Sequence, residues 1–404
     1  DACARGRGAN AGEEPAAFLL RLRAYCSAVT GDRAAADLAL DLARAANAED
    51  AWYTGAVAAA GGAPGARPPA ARYDNSLSTQ LSLAGSLRPG PNPLNNASTL
   101  ALLALARADN APQPQRAQAA ALAFQRGALS ADEARTIFRA TPAEITSALP
   151  AYVVALRQIE AARSAPAPAT PLTPPAAGAP PTPDAALAEA AAIAGVLRQA
   201  ASPQDFTAAS HFFQADIANL QSAPDAAAAL LFARAAIAAG DVQVGQRLVA
   251  SARQAGVAEL ALAPLDAALA VMVGVRSESG LIAMKRRIDA GGASGARAAA
   301  RDVAIMAALG APVDGSVQSF LLNNAPQGGA RADTGAMLAL ASAVERGATG
   351  EGALLVVAAA GEGGPARLDA ESVERIVRAL RGLRLEDEAR RVAIEAILAG
   401  APGS

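Results

Sequence analysis

The chain has 404 residues, of which 52% are hydrophobic, 3% aromatic and 18% charged. An apolar fraction made mainly of small aliphatic side chains favours helices, because sheets prefer β-branched and aromatic residues. With 35 basic and 37 acidic residues, the net charge of −2 excludes nucleic-acid binding through bulk charge.

The N-terminal segment carries the only two cysteines, Cys3 and Cys26. A disulfide between them would tie a Gly-rich entry segment to the first helix, and closing a loop of that size contributes about 3 kcal/mol. We therefore predict a Cys3–Cys26 disulfide in an oxidising compartment, and we interpret the start at Asp1 as the result of processing. Two alternatives stay open: unrelated buried thiols in a cytosolic protein, and a lipoprotein anchored at Cys3 without an apolar lipobox before it.

Three stretches rich in proline and glycine, 61–73, 88–96 and 164–183, interrupt the helical pattern. The last holds eight prolines, which remove backbone donors and favour extended conformations, so it is predicted to be a linker. This divides the chain into an N-terminal helical domain with irregular loops, 1–163, and a C-terminal helical-repeat domain, 184–404.

Capping signals mark several helix starts. Segments 130–133, 141–144 and 202–205 each place a hydroxyl residue three positions before a carboxylate, as in a capping box. The helix that begins at 202 is predicted to align five apolar residues on one face: Phe206, Ala209, Phe213, Ile217 and Leu220. Counting such signals, we expect roughly twenty helices of about 10 to 18 residues, joined by short turns.

One local pattern occurs in the three segments 28–43, 238–252 and 380–396. A glycine ends one helix, a short turn with an acidic residue follows, and a small residue opens the next helix where the two helices cross. The predicted helix-ending glycines are Gly31, Gly240 and Gly382, and the predicted crossing residues are Ala36, Gly245 and Ala389.

This pattern resembles the middle of a tetratricopeptide repeat, or of a related helical-hairpin repeat. In that family small residues let paired helices approach closely, and the stacked pairs form a curved solenoid that binds extended peptides or partner subunits. The resemblance covers about 50 residues, and no 34-residue period runs through the chain. It implies an all-α fold, an α-solenoid of antiparallel helical hairpins in two parts joined by the Pro-rich segment. An irregular helical bundle is the alternative.

The residues needed for common catalytic and metal sites are scarce. His211 is the only histidine, which excludes a zinc motif with two histidines, and we expect it on a solvated helix face. Lys285 is the only lysine and lies in the basic run 284–287 rather than in a phosphate-binding loop, so this run is predicted to be a solvated helix face. We therefore expect no metal, no cofactor and no catalytic residues.

One enzyme alternative remains. Glu278, followed by serine and glycine, with a Gly-Ala pair at 295–296, resembles the catalytic segment of soluble lytic transglycosylases. The family's downstream Gly-Leu-Met-Gln element is missing, and the chain has one Trp and four Tyr to stack on sugar rings.

The absence of catalytic constellations and the large helical surface together predict a non-catalytic scaffold that binds other proteins. We expect a periplasmic or exported subunit of a bacterial cell-envelope assembly, without a membrane span. The loop 89–96 and the Pro-rich segment are the predicted contact regions. An enzyme with an unrecognised site and a cytoplasmic adaptor are the alternatives.

Overall fold

The computed structural model describes residue 3 and residues 17–46, 50–63, 67–146, 149–164, 183–326, 328–361 and 363–400. Over these residues the backbone forms 21 α-helices and the 3₁₀ helix Pro365–Arg367, with no β-strand beyond two isolated bridges. The predicted all-α fold class is confirmed.

The chain divides into two compact units, Asp1–Val154 and Ala155–Ser404. The helices that begin in the first unit are α1 (Ala17–Val29), α2 (Arg33–Ala45), α3 (Ala51–Ala60), α4 (Ser76–Ala84), α5 (Thr99–Ala106), α6 (Gln113–Gln125), α7 (Ala131–Ala140), α8 (Ala143–Thr146) and α9 (Ala151–Ser164).

The second unit begins within α9. It then contains α10 (Pro183–Gln199), α11 (Pro203–Phe212), α12 (Gln214–Asn219), α13 (Ala226–Ala238), α14 (Val242–Gln254), α15 (Glu259–Val273), α16 (Glu278–Ala308), α17 (Gly315–Asn323), α18 (Thr334–Glu345), α19 (Thr349–Ala360), α20 (Ala370–Gly382) and α21 (Glu386–Ala399).

The predicted domain limits and the observed units differ in position. The division at Val154 lies inside α9, whereas the prediction placed the first boundary after residue 163. Ser164 and Pro183, the two ends of the predicted linker, belong to α9 and α10. The rest of that linker, residues 165–182, lies outside the described residues.

Arg163 shows why the C-terminal part of α9 belongs to the second unit. Its Nε donates to Oε2 of Glu189 on α10 at 3.1 Å, and its Nη2 donates to Oδ1 of Asp216 on α12 at 3.0 Å. Both carboxylates are buried, so the guanidinium neutralises charges that would otherwise be costly there. One side chain thereby joins three helices, and these helices lie on both sides of the Pro-rich segment.

Neighbouring helices pack in pairs along the chain. The closest pairs are α1 with α2, α5 with α6, α13 with α14, α15 with α16, α18 with α19, and α20 with α21. This pairing is compatible with a helical repeat.

Nine helix ends in the described residues share one turn. A residue with positive φ follows the helix, and the next amide donates to the carbonyl five residues earlier, which is the Schellman arrangement. The nine residues are Gly31, Gly62, Ser86, Gly127, Gly240, Gly256, Gly310, Gly347 and Arg384. These turns satisfy carbonyls at the helix end and reverse the chain within a few residues, which produces the hairpins.

Alanine contributes a large share of the buried side chains in both units. In the first unit, Ala24, Ala28, Ala36, Ala39 and Ala56 form a buried cluster with larger residues, among them Leu22, Tyr53, Val57, Leu77 and Leu81. In the second unit, α13 is covered by α10, α11, α12, α14, α15 and α21. Its sequence has one charged residue, and eight of its side chains are buried.

Candidate functional site

The outward side of the hairpin formed by α18 and α19 exposes large aliphatic residues. Leu338 is 70% exposed, Leu354 74% and Val357 70%. Ala341 and Ala358 are exposed beside them at helical spacing. We call these five residues the apolar hairpin face. An isolated exposed leucine is ordinary on a protein surface, whereas several large aliphatic side chains exposed on one hairpin make a candidate binding surface.

Packing on the opposite side fixes the orientation of this hairpin. Leu340 and Ala343 of α18 are buried, as are Val356 and Ala359 of α19. At Gly352 the backbone approaches Leu383 so closely that any Cβ would overlap this side chain. The inner side is therefore seated against α20, and the apolar hairpin face is left on the outside.

Local sequence signals position the two helices. Asp333 caps α18, because its Oδ1 accepts from the amide of Ala336 at 2.7 Å. Gly347, at φ 66°, ends the helix, and the amide of Ala348 donates to the carbonyl of Ala343. The reversal makes α18 and α19 antiparallel neighbours that pack against each other.

Within the two helices and their connecting turn, charged side chains are confined to the turn end, while Asp333 caps the opposite end of α18. The Nη2 atom of Arg346 lies 2.9 Å from Oε1 of Glu351. The Arg346 hydrogen bond lowers the pKa of Glu351, and the same bond raises the pKa of Arg346. Both side chains are solvent-exposed, so the pair adds little stability. Beyond Glu351, residues 352–360 of α19 and the following Gly361 carry no ionisable side chain. A partner could cover this part of the face without desolvating a charge.

A second surface feature is an open depression of about 430 Å³ lined by α14, α15 and α16. Leu269, Val273 and Ile282 give it apolar walls, while Asp266 and Arg286 line its edge. Burial raises the pKa of Asp266, and Arg253, at 2.8 Å from Oδ2, opposes that effect. A protein partner here would have to desolvate charges, so the apolar hairpin face is the better docking surface.

The six predicted small residues take the following places. Gly31 and Gly240 are the left-handed residues at the ends of α1 and α13. Ala36 and Ala389 are buried early in α2 and α21. Gly245 is buried in α14, where a Cβ would meet Ile237 Cγ1 at 3.0 Å and Leu269 Cδ2 at 3.1 Å.

Gly382 lies at the end of α20 but does not adopt the left-handed conformation of Gly31 and Gly240. It is the last residue of α20, and the left-handed residue is Arg384, at φ 62°. A Cβ at Gly382 would lie 3.0 Å from Val344 Cγ1, so this glycine allows close approach between α20 and α18.

The basic run 284–287 is not the uniformly solvated face that was expected. Met284 and Arg287 are buried, and Arg287 Nε donates to Asp302 Oδ2 at 2.7 Å. This ion pair joins the two parts of α16 on either side of its bend at Gly292. Burial raises the pKa of Asp302 to about 6, against the opposing effect of Arg287. Lys285 lies on the exposed side, with Nζ 2.6 Å from Asp314 Oδ2.

The other predicted residues lie apart from one another. Glu278 is exposed in the first turn of α16, and His211 is exposed near the end of α11. The loop 89–96 is anchored by buried Leu94.

Among the described residues, no group of three or more histidine, cysteine, aspartate or glutamate side chains could hold a metal ion, and no helix is long and apolar enough to cross a bilayer.

A disulfide joins Cys3 and Cys26, with the two Sγ atoms 2.04 Å apart, and this bond attaches Cys3 to α1.

No protein-family model, curated protein or solved structure matches the chain.

Proposed function

We propose that this protein is a non-catalytic helical scaffold that binds another protein through the apolar hairpin face. The observation that carries the proposal is the exposure of Leu338, Leu354 and Val357, each at least 70% accessible on one hairpin. Full burial of a leucine or valine contributes about 1.5–3 kcal/mol, so three such residues can supply much of the affinity of a moderate complex.

The partner class follows from the shape and charge of this surface. Two antiparallel helices form a ridged surface, onto which the apolar stripe of a third helix can pack. The centre of the surface carries no charge, so the matching stripe should also be uncharged. An amphipathic helix of another protein is the partner that fits, and the binding mode is the one by which successive hairpins already pack within this chain.

The wider setting is part of the same proposal. The Cys3–Cys26 disulfide supports an oxidising compartment, and hence an exported subunit of a bacterial cell-envelope assembly. The paired helices support membership of the α-solenoid class, with the tetratricopeptide repeat as the nearest pattern.

Affinity capture from extracts of the native host tests the proposal. The bait variant Leu354→Asp/Val357→Asp places two charges on the apolar hairpin face. Its matched control, Ser251→Asp/Gln254→Asp, places two charges at the same spacing on exposed positions of α14. We expect the wild type and the control to recover the same partner protein and the first variant to lose it, because burying unpaired carboxylates opposes binding. Equal recovery by all three baits, or recovery of the chain alone, contradicts the proposal.

A further inference from the structure

A cavity of about 230 Å³ lies among three helices of the second unit, away from the apolar hairpin face. Its lining residues follow helical spacing on each element. Phe206, Thr207 and His211 come from one side of α11, and Arg234 and Ile237 come from one side of α13. Residues 391, 394, 395, 398 and 399 complete the lining from α21. Three helix faces therefore converge on one small volume.

Much of the wall is apolar. Phe206, Ile237 and Leu398 line the cavity and are themselves buried, and Ile394 is half-buried. The Ser210 hydroxyl on α11 is turned away into the helix, where it donates to the carbonyl of Phe206 at 2.7 Å. A ligand in this cavity would meet a hydrocarbon surface over most of its body, as is usual in small-molecule sites.

Arg234 brings a positive charge into this apolar wall. Its side chain is 5% exposed, and its guanidinium carbon lies 4.4 Å from the centroid of the Phe206 ring. The ring face attracts the cation and also fixes the plane of the guanidinium. Burial lowers the pKa of Arg234 from a very high starting value, so the group remains charged at neutral pH. A planar guanidinium held in this way matches a carboxylate.

The other ionisable groups on the lining favour an anion. Arg391 adds an exposed guanidinium. His211 is solvent-accessible, but the atoms packed around its imidazole partly desolvate it and thereby lower its pKa. Glu395 is the one carboxyl group among the residues lining this cavity. Burial raises its pKa, and the amide of Ala366 opposes that effect with a hydrogen bond. Two guanidinium groups against one carboxyl group leave a net positive lining.

We propose that this cavity binds a small monocarboxylate with a short apolar body. Arg234 holds the carboxylate, and Phe206, Ile237 and Leu398 enclose the body. The volume of the cavity limits the body to a few carbon atoms. Glu395 weakens the binding of an anion by repulsion.

The single histidine makes the test direct. In protein labelled with histidine that carries ¹³C only at Cε1, His211 gives one imidazole cross-peak that needs no assignment, and it reports on the cavity that it lines. The probes are hexanoate, hexanamide and acetate at constant ionic strength and pH 7. We expect hexanoate to move the cross-peak saturably with a dissociation constant of about 1 mM or lower. Hexanamide lacks the negative charge and acetate lacks the longer apolar chain, so each should bind at least about tenfold more weakly than hexanoate.

Two variants test the assigned roles. Arg234→Met keeps the volume and should weaken hexanoate binding by about tenfold or more, whereas Glu395→Gln should strengthen it. If Arg234→Met unfolds, as shown by a cross-peak at the position of the urea-denatured chain, Arg391→Gln replaces it, and we expect weaker binding from the loss of its positive charge. The proposal is overturned by a cross-peak that does not move saturably below about 10 mM hexanoate. Equal responses to the three probes, or unchanged hexanoate binding by the folded arginine variant, also overturn it.

Discussion

Helices α13 and α19 have similar compositions and opposite surroundings. Both consist mostly of alanine, leucine and valine or isoleucine, and each has one charged residue, Arg234 in α13 and Glu351 in α19. Six helices cover α13, and eight of its residues are buried. The helix α19 packs mainly on α18 and α20, and only Gly352, Val356 and Ala359 are buried.

The difference shows what an apolar helix requires. A helix that is hydrophobic on all sides is stable when other elements cover all sides, and α13 meets this condition within the chain. The sequence of α19 is similarly apolar, so this helix also needs other elements to cover all its sides, but the chain covers only its inner side. This contrast supports the proposal that a partner binds at α19 rather than at a helix with a polar outer side, such as α20.

The largest expected effect is a difference in stability between two variants, each of which truncates one large side chain, in α13 or in α19. Phe232→Ala in α13 removes a ring that is 1% exposed, and we expect it to lower the free energy of unfolding by about 3–5 kcal/mol. Leu354→Ala in α19 should change the same free energy by less than about 0.5 kcal/mol, because that side chain already contacts water. Urea denaturation of the isolated protein measures both values. Similar losses in the two variants would show that the isolated chain buries Leu354, and the comparison would fail.

A smaller effect should follow from removing the guanidinium that joins α9, α10 and α12. Because α10 and α12 cover α13, Arg163→Ala should weaken that cover by leaving the buried Glu189 carboxylate without its ion-pair partner. We expect a loss of about 1–3 kcal/mol, since Arg163 itself is half-exposed. Its control is Arg44→Ala, which breaks the exposed pair with Asp41 and should cost less than about 0.5 kcal/mol. Hydrogen exchange should show the loss of protection in α10 and α12 after the first substitution. If exchange there is unchanged, the two sides of the Pro-rich segment are energetically independent.

Local signals predicted much of the helical structure. Ser130 and Ser202 accept from the amides of Glu133 and Asp205 and begin α7 and α11, as their capping spacing indicated. The similar segment at Thr141 begins only a four-residue helix, and the Thr141 hydroxyl donates back to Ile137 of α7. Capping motifs indicate where a helix can start, whereas its length depends on what packs against it.

Features that depend on tertiary contacts could not be predicted in this way. The stripe from Phe206 to Leu220 is buried, but Phe213 separates α11 from α12. The burial of Arg287 depends on Asp302, fifteen positions away across the bend of α16. Periodicity within one helix contains no information about a partner brought close by a bend.

The candidate surface was also outside the reach of sequence reasoning, which placed the partner contacts in the loop 89–96 and the Pro-rich segment. The uncharged run 352–361 was a usable signal, because it predicts a helix that needs cover on all sides. The packing of α18 and α20 determines which sides of α19 the chain itself covers. The sequence of α19 alone does not predict that packing.

Photo-cross-linking in the native host is the most direct test of whether the apolar hairpin face is covered. A photoreactive residue replaces Leu354 in one variant and Ser251, which is also exposed, in the other. We predict a cross-linked complex with a second, different protein from position 354 and none of that size from position 251. No complex from position 354, the same complexes from both positions, or a complex between two copies of this chain would contradict the account.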